Sequence, residues 1–146
     1  MTIDWQELIS TSHPDTIQAI RRLLDQHDYE AAKIGLDELH ENMANADRRA
    51  LESQLRRLMV HVLKWRYQSE KRSTSWILTI VNARQEIGLL QEYMPSLDRE
   101  FIESIWGKTF NKALEGAKAE MNLSRKDTFE PTELTWEDVF EKEYLL

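Results

Sequence analysis

The sequence predicts an all-α protein, an up-down bundle of about five helices with a short acidic C-terminal extension. Three observations carry this reading. Only 4 Gly and 3 Pro occur in 146 residues, too few turn formers for a loop-rich β-sandwich. Two apolar stripes at helical spacing fill residues 48–87 on either side of a short polar break. The prolines Pro14, Pro95 and Pro131 sit where helices begin or end, not inside them. The length suits one domain that buries a core without disulfides or metals. Its expected parts are a lead (1–13), the bundle (14–122) and an extension with a short helix (123–146).

The elements follow in order. Pro14 in a first turn beside Asp15 opens a helix through about residue 27, with Ile17, Ile20 and Leu24 expected inward. Asp28 is placed to cap a second helix in which Tyr29, Ala32, Leu36, Leu39 and Met43 recur. Gly35 inside it costs about 1 kcal/mol relative to Ala. A third helix, about 47–67, sets Leu51, Leu55, Leu58, Met59 and Val62 within a narrow arc. After the polar break 68–73, Ser73 or Thr74 caps a fourth helix. There Trp76, Ile80, Ala83, Ile87, Leu90 and Met94 alternate steps of four and three, as an antiparallel partner requires. Pro95 stops it, and Ser96 is the expected cap of a fifth helix. Its inward residues are Phe101, Ile105, Trp106, Phe110, Ala113 and Ala117, ending near Met121. Residues 124–133 carry turn chemistry. Beyond them Trp136, Val139 and Phe140 suggest a short terminal helix with its acids outward.

Composition excludes several classes of function. Without Cys there is no disulfide framework, thiolate metal site or thiol nucleophile. The start MTIDWQELIST lacks the basic and apolar regions of a signal peptide, and no run approaches a membrane span. A cytoplasmic, non-membrane protein is expected. The net charge of −7 hides an asymmetry. Residues 48–72 hold eight basic side chains against Glu52 and Glu70, whereas residues 127–146 hold seven acids against Lys142. Such a tail is able to fold back on the basic helix or to serve a separate partner.

The candidate binding surface lies on the basic hairpin: Arg57, His61, Lys64, Trp65, Tyr67, Arg72, Trp76 and Arg84. Arg57, His61 and Trp65 are spaced four apart and stack along one helix face. A cationic strip edged by aromatic rings suits a phosphate or stacked bases. The competing structural account makes Trp65 and Trp76 core anchors with Arg and Lys stems lying over them.

No catalytic set stands out. Arg56 and His61 match an Arg-x4-His pattern resembling that of small helical ribonucleases in toxin–antitoxin modules. On one helix, however, the two diverge by about 140°, and Arg57 is the nearer neighbour. Asp37, His40 and Glu41 have helical spacing but lack the paired Glu-x-x-His elements of a di-iron bundle. Neither a cofactor nor a metal is expected.

One resemblance is specific. The run RALESQLRRLMVHVLKWRY (49–67), followed by Arg72, Ser75, Trp76, Thr79, Ile80, Arg84, Ile87, Leu89, Leu90 and Pro95–Ser96–Leu97, resembles domain of unknown function twenty-nine. This is a bacterial family common in cyanobacteria. Tyr29 and Glu30 upstream, with Phe129, Pro131, Trp136 and Tyr144 downstream, extend the match over essentially the whole chain. The chain departs from the family where Leu39 and His40 follow Glu38 in place of adjacent acids, and where Ala44 replaces a usual Gly. The resemblance implies an all-helical protein and supplies no activity, cofactor or catalytic residue.

The favoured functional reading is a non-enzymatic module that binds another protein, as one half of an operon-encoded pair. The alternatives are nucleic-acid or phosphate-ligand binding by the basic aromatic hairpin 48–76, and the ribonuclease. Self-association is a further expectation, because an apolar face between Trp106 and Met121 would need covering. An acidic tail over a basic face also permits autoinhibition, in which truncation after Met121 raises anion affinity.

Overall fold

Each helix begins at a side chain that accepts an otherwise unpaired backbone N–H. The computed structural model describes residues 2–124, 127 and 129–146, and none of these lies in a strand. Helix α1 (Trp5–Thr11) is capped by Asp4 and α2 (His13–Asp25) by Ser12. Helix α3 (Tyr29–Tyr67) starts where Asp28 Oδ1 accepts from the Ala31 N–H at 3.3 Å. A 3₁₀ turn (Ser69–Lys71) leads to α4 (Thr74–Tyr93), capped by Ser73. Helix α5 (Arg99–Glu120) is capped by Asp98, not by the expected Ser96. The extension contributes a π-helical turn (Glu137–Glu141).

Helices α2 and α5 end alike. His27 (φ 60°) and Asn122 (φ 65°) adopt the left-handed conformation. Asp28 N then reaches Leu23 O and Leu123 N reaches Lys118 O, each at 2.8–2.9 Å. These are Schellman closures, built without glycine.

Two further sequence expectations change, and a third is only partly described. The lead contains a helix, α1. The two helices expected within 28–67 are one, because no Gly or Pro interrupts residues 44–47. The polar side chains there bond along the helix surface, Arg48 Nη1 reaching Asn45 at 2.8 Å and Glu41 at 3.4 Å. The expected turn at 124–133 includes Arg125, Lys126 and Thr128, which lie outside the described residues.

The chain divides into two compact units, Met1–Arg48 and Arg49–Leu146. The first buries Trp5, Ile9, Ala19, Ile20, Ala32 and Leu39. Ile17, Leu24, Tyr29, Leu36 and Met43, expected inward, are exposed. The buried face is turned toward the small residues Thr16, Ala19, Ala32 and Gly35, which let the elements approach around the Trp5 ring. A Cβ on Gly35 would lie 2.5 Å from Trp5 Cη2. Gly35→Ala is therefore expected to destabilise the protein by about 1–2 kcal/mol, overpacking outweighing the gain in helix propensity. At Gly88 and Gly107 an added Cβ would meet nothing within 4 Å. Ala there should stabilise by about 0.5–1 kcal/mol. Urea titration of the three variants checks the contrast of sign.

The second unit is built around the C-terminal part of α3. Leu51, Leu55, Leu58, Met59 and Val62 are buried as the spacing predicts, facing Ile80, Ala83 and Ile87 of the α4 stripe and Ile102, Ala113 and Ala117 of α5 within one core. The same core includes Trp65 at the edge of that arc, Val60 and Leu63 on other sides of α3, and Leu134, Val139 and Tyr144 of the extension. Residues 58–65 are thus enclosed on nearly every side, with only His61 less than fully buried.

Candidate functional site

The extension lies across the basic hairpin and engages Trp65, Arg66, Tyr67 and Arg84. Trp65 is buried. Arg72 Nε donates to the Trp65 carbonyl at 2.8 Å, its guanidinium 4.9 Å from the Trp65 ring centroid, and the edge of Tyr144 meets the same ring at 5.6 Å. Lys64 is only 8% exposed. Its ammonium lies 3.3 Å from Glu120 and 4.6 Å from the Trp76 ring centroid, pairings that make burial of a cation tolerable. The Tyr67 hydroxyl accepts from the Thr132 N–H at 3.1 Å, and its ring abuts Phe129.

Arg84 grips the extension. Its Nε donates to the Val139 carbonyl and an Nη to the Lys142 carbonyl, both at 2.8 Å. Burial lowers its pKa from the ordinary value, but a guanidinium stays charged. The neighbouring Arg66, absent from the predicted surface, pairs with Asp138 at 3.0 Å. Burial alone would raise the Asp138 carboxyl, yet the Thr135 N–H and Arg66 hold it below its usual range. Across the unit, Trp106 donates to the Leu134 carbonyl at 3.1 Å and stacks on Trp136, itself covered by Phe140 and by Arg99. The apolar face expected to need a second copy is covered at Trp106 by the same chain.

Two of the predicted residues lie elsewhere. Arg57 and His61 line a groove of about 690 Å³ between α3 and α5, together with Arg56. His61 Nδ1 lies 2.9 Å from the Arg57 carbonyl, so this nitrogen carries the proton and Nε2 keeps a free lone pair. Burial, reinforced by Lys64, lowers the His61 pKa although the bond to Arg57 opposes it. Burial thus favours the neutral ring. The eight predicted residues therefore form two groups: Lys64, Trp65, Tyr67, Arg72, Trp76 and Arg84 in internal contacts, and Arg57 with His61 on the groove.

Sequence reasoning missed Arg66 and Asp138, whose signal was an unassigned cation inside the family-like run and an acid beside Val139. It also missed the outer face of α4. Leu78, Leu89 and Tyr93 are 54%, 57% and 73% exposed. At 100° per residue they lie about 160–220° from Ile80. The signal was visible as apolar residues outside the inward 4/3 spacing of TSWILTIVNARQEIGLLQEY.

Among the described residues, no group of three or more His, Asp or Glu side chains is placed to hold a metal ion. No described helix is long and apolar enough to cross a membrane. Neither the curated proteins nor the solved structures contain a match to the chain. The family model described as "Domain of unknown function DUF29" matches residues 15–145, which includes the hairpin, the groove and the extension. On that match the chain belongs to the DUF29 family.

Proposed function

We propose that this chain is a non-enzymatic protein-interaction module of the cytoplasm, one half of an operon-encoded pair, and that the outer face of α4 is its contact surface. The observation that carries the reading is the exposed row Leu78, Leu89 and Tyr93, backed on the opposite side of the helix by the buried Ile80 and Ile87. A helix anchored in the core presents such side chains rigidly, which lowers the ordering cost of association. Aromatic side chains such as Tyr93 are enriched among the few residues that supply most of the binding energy in protein interfaces. The internal pairing of Lys64, Arg66, Arg72 and Arg84 also favours a protein partner over a nucleic acid at the hairpin.

The test is affinity capture from the native cell with wild type and with Leu78→Glu/Leu89→Glu. The expected result is a stoichiometric protein retained by wild type and lost by the variant, whose helicity and melting are unchanged. A partner held equally by both, or no stoichiometric partner, ends the reading.

A further inference from the structure

The α3–α5 face of the second unit holds a charge arrangement unrelated to the α4 surface. Two adjoining grooves run along it, sharing Ser53, Arg56 and Lys112. The first, about 250 Å³, is also lined by Arg49 and Glu52, and the second by Arg57 and His61. Its acids are mostly neutralised. Glu52 is bridged by Lys112 at 2.9 Å and Lys108 at 3.4 Å, and Glu120 pairs with Lys64. Lys112 lowers the Glu52 pKa, keeping that carboxylate ionised. Only Glu115 lines the trough without an ion pair to a described residue. By contrast, the guanidinium groups of Arg49, Arg56 and Arg57 make no hydrogen bond or ion pair with any described residue. Elsewhere in this unit Arg66, Arg72, Arg84 and Arg99 each hold an acid or a carbonyl.

We infer that this trough binds an oligophosphate chain, free or as the phosphate chain of a nucleotide, through Arg49, Arg56 and Arg57. Three properties select that ligand class. The arginines extend over nine residues of one helix, about 12 Å along its axis, which exceeds the reach of a single phosphate. Guanidinium forks match phosphate oxygens in bidentate pairs. The lining contains no Phe, Tyr or Trp, so bases have no platform on which to stack and recognition falls on the charged chain. Ser53, between Arg49 and Arg56 on the same face, adds a hydroxyl donor. His61 closes the end of the trough. The charged groups around it are Arg57 and Lys64 from α3 and Glu120 from α5. An anion placed beside it favours the imidazolium, so binding takes up a proton and strengthens as pH falls.

The experiment uses the full chain and sodium tripolyphosphate, with calorimetry and NMR titration of the His61 ring. Expected are saturable binding that weakens steeply with salt and a rise of about one unit or more in the His61 pKa on saturation. Affinity should fall about tenfold for each of Arg49→Gln, Arg56→Gln and Arg57→Gln. These side chains hold no described partner in the fold, so unchanged circular dichroism is expected; should one variant fail to fold, the other two decide. A nucleoside triphosphate binding equally well places the phosphate chain of a nucleotide in the trough, and its weaker binding favours the free oligophosphate. Absence of binding, binding indifferent to the three substitutions, or equal affinity for hexaglutamate overturns the inference. So does Lys142→Gln, which lines neither groove, weakening binding as much as Arg56→Gln.

Discussion

Deleting residues 129–146 is expected to abolish the cooperative thermal transition of the Arg49–Leu146 unit. The extension places Leu134 (3% exposed), Val139 (0%) and Tyr144 (6%) in the main core. Burying an aliphatic side chain contributes about 1.5–3 kcal/mol, and the Tyr144 ring a comparable amount. Against a typical total of about 5–15 kcal/mol, removal of all three leaves little stability. Deletion also strips the cover from Trp65 and Trp106 and the partners from Arg66 and Arg84. Circular dichroism melting and binding of a hydrophobic dye measure the outcome. A truncated chain that melts like wild type and binds anions more tightly would instead make the extension a detachable cover, the arrangement suggested by the contrast of charge.

Replacing Arg84 by Ala should cost about 2–3 kcal/mol. Its two 2.8 Å bonds to the Val139 and Lys142 carbonyls are charge-assisted, worth about 1.5–3 kcal/mol each when fully buried; the partial exposure of the guanidinium reduces their sum. Lys in its place offers one ammonium in place of a rigid fork and recovers only part of the loss. Urea unfolding of Arg84→Ala and Arg84→Lys, with hydrogen exchange across residues 137–144, tests this. The loss should concentrate in the extension. Uniform weakening of all helices, or wild-type stability in Arg84→Ala, would remove the role given to Arg84.

Much of the fold was legible in the residues. The inward rows Leu51–Leu55–Leu58–Val62 and Ile80–Ala83–Ile87 are buried as their spacing predicts, because long helices with one dominant apolar arc have a single way to hide it. The first unit was harder to read. Its core sets small residues beside Ile9, Ile20 and Leu39 around Trp5, and hydrophobicity ranks Ile17 and Leu24 above Thr16 and Ala19 although close approach favours the smaller side chains. The candidate surface was readable as residue types but not as environments. Lys64 falls outside the principal arc of α3 and is enclosed by Trp76 of α4 and Glu120 of α5, while Trp65, at the edge of that arc, is covered by Tyr144 of the distant extension.

Local sequence by itself determined the helical class, the caps at Asp28 and Ser73, the stop at Pro95 and the family, since these depend on neighbours a few residues apart; α1, the Asp98 cap and the union of residues 29–67 in one helix were not read from it. Only the tertiary structure decided which cations remain available to a ligand. Arg66 and Arg84 meet partners far along the chain in Asp138 and Val139, whereas Arg49, Arg56 and Arg57 meet none among the described residues. Charge is written in the sequence, but its neutralisation depends on contacts made across the fold.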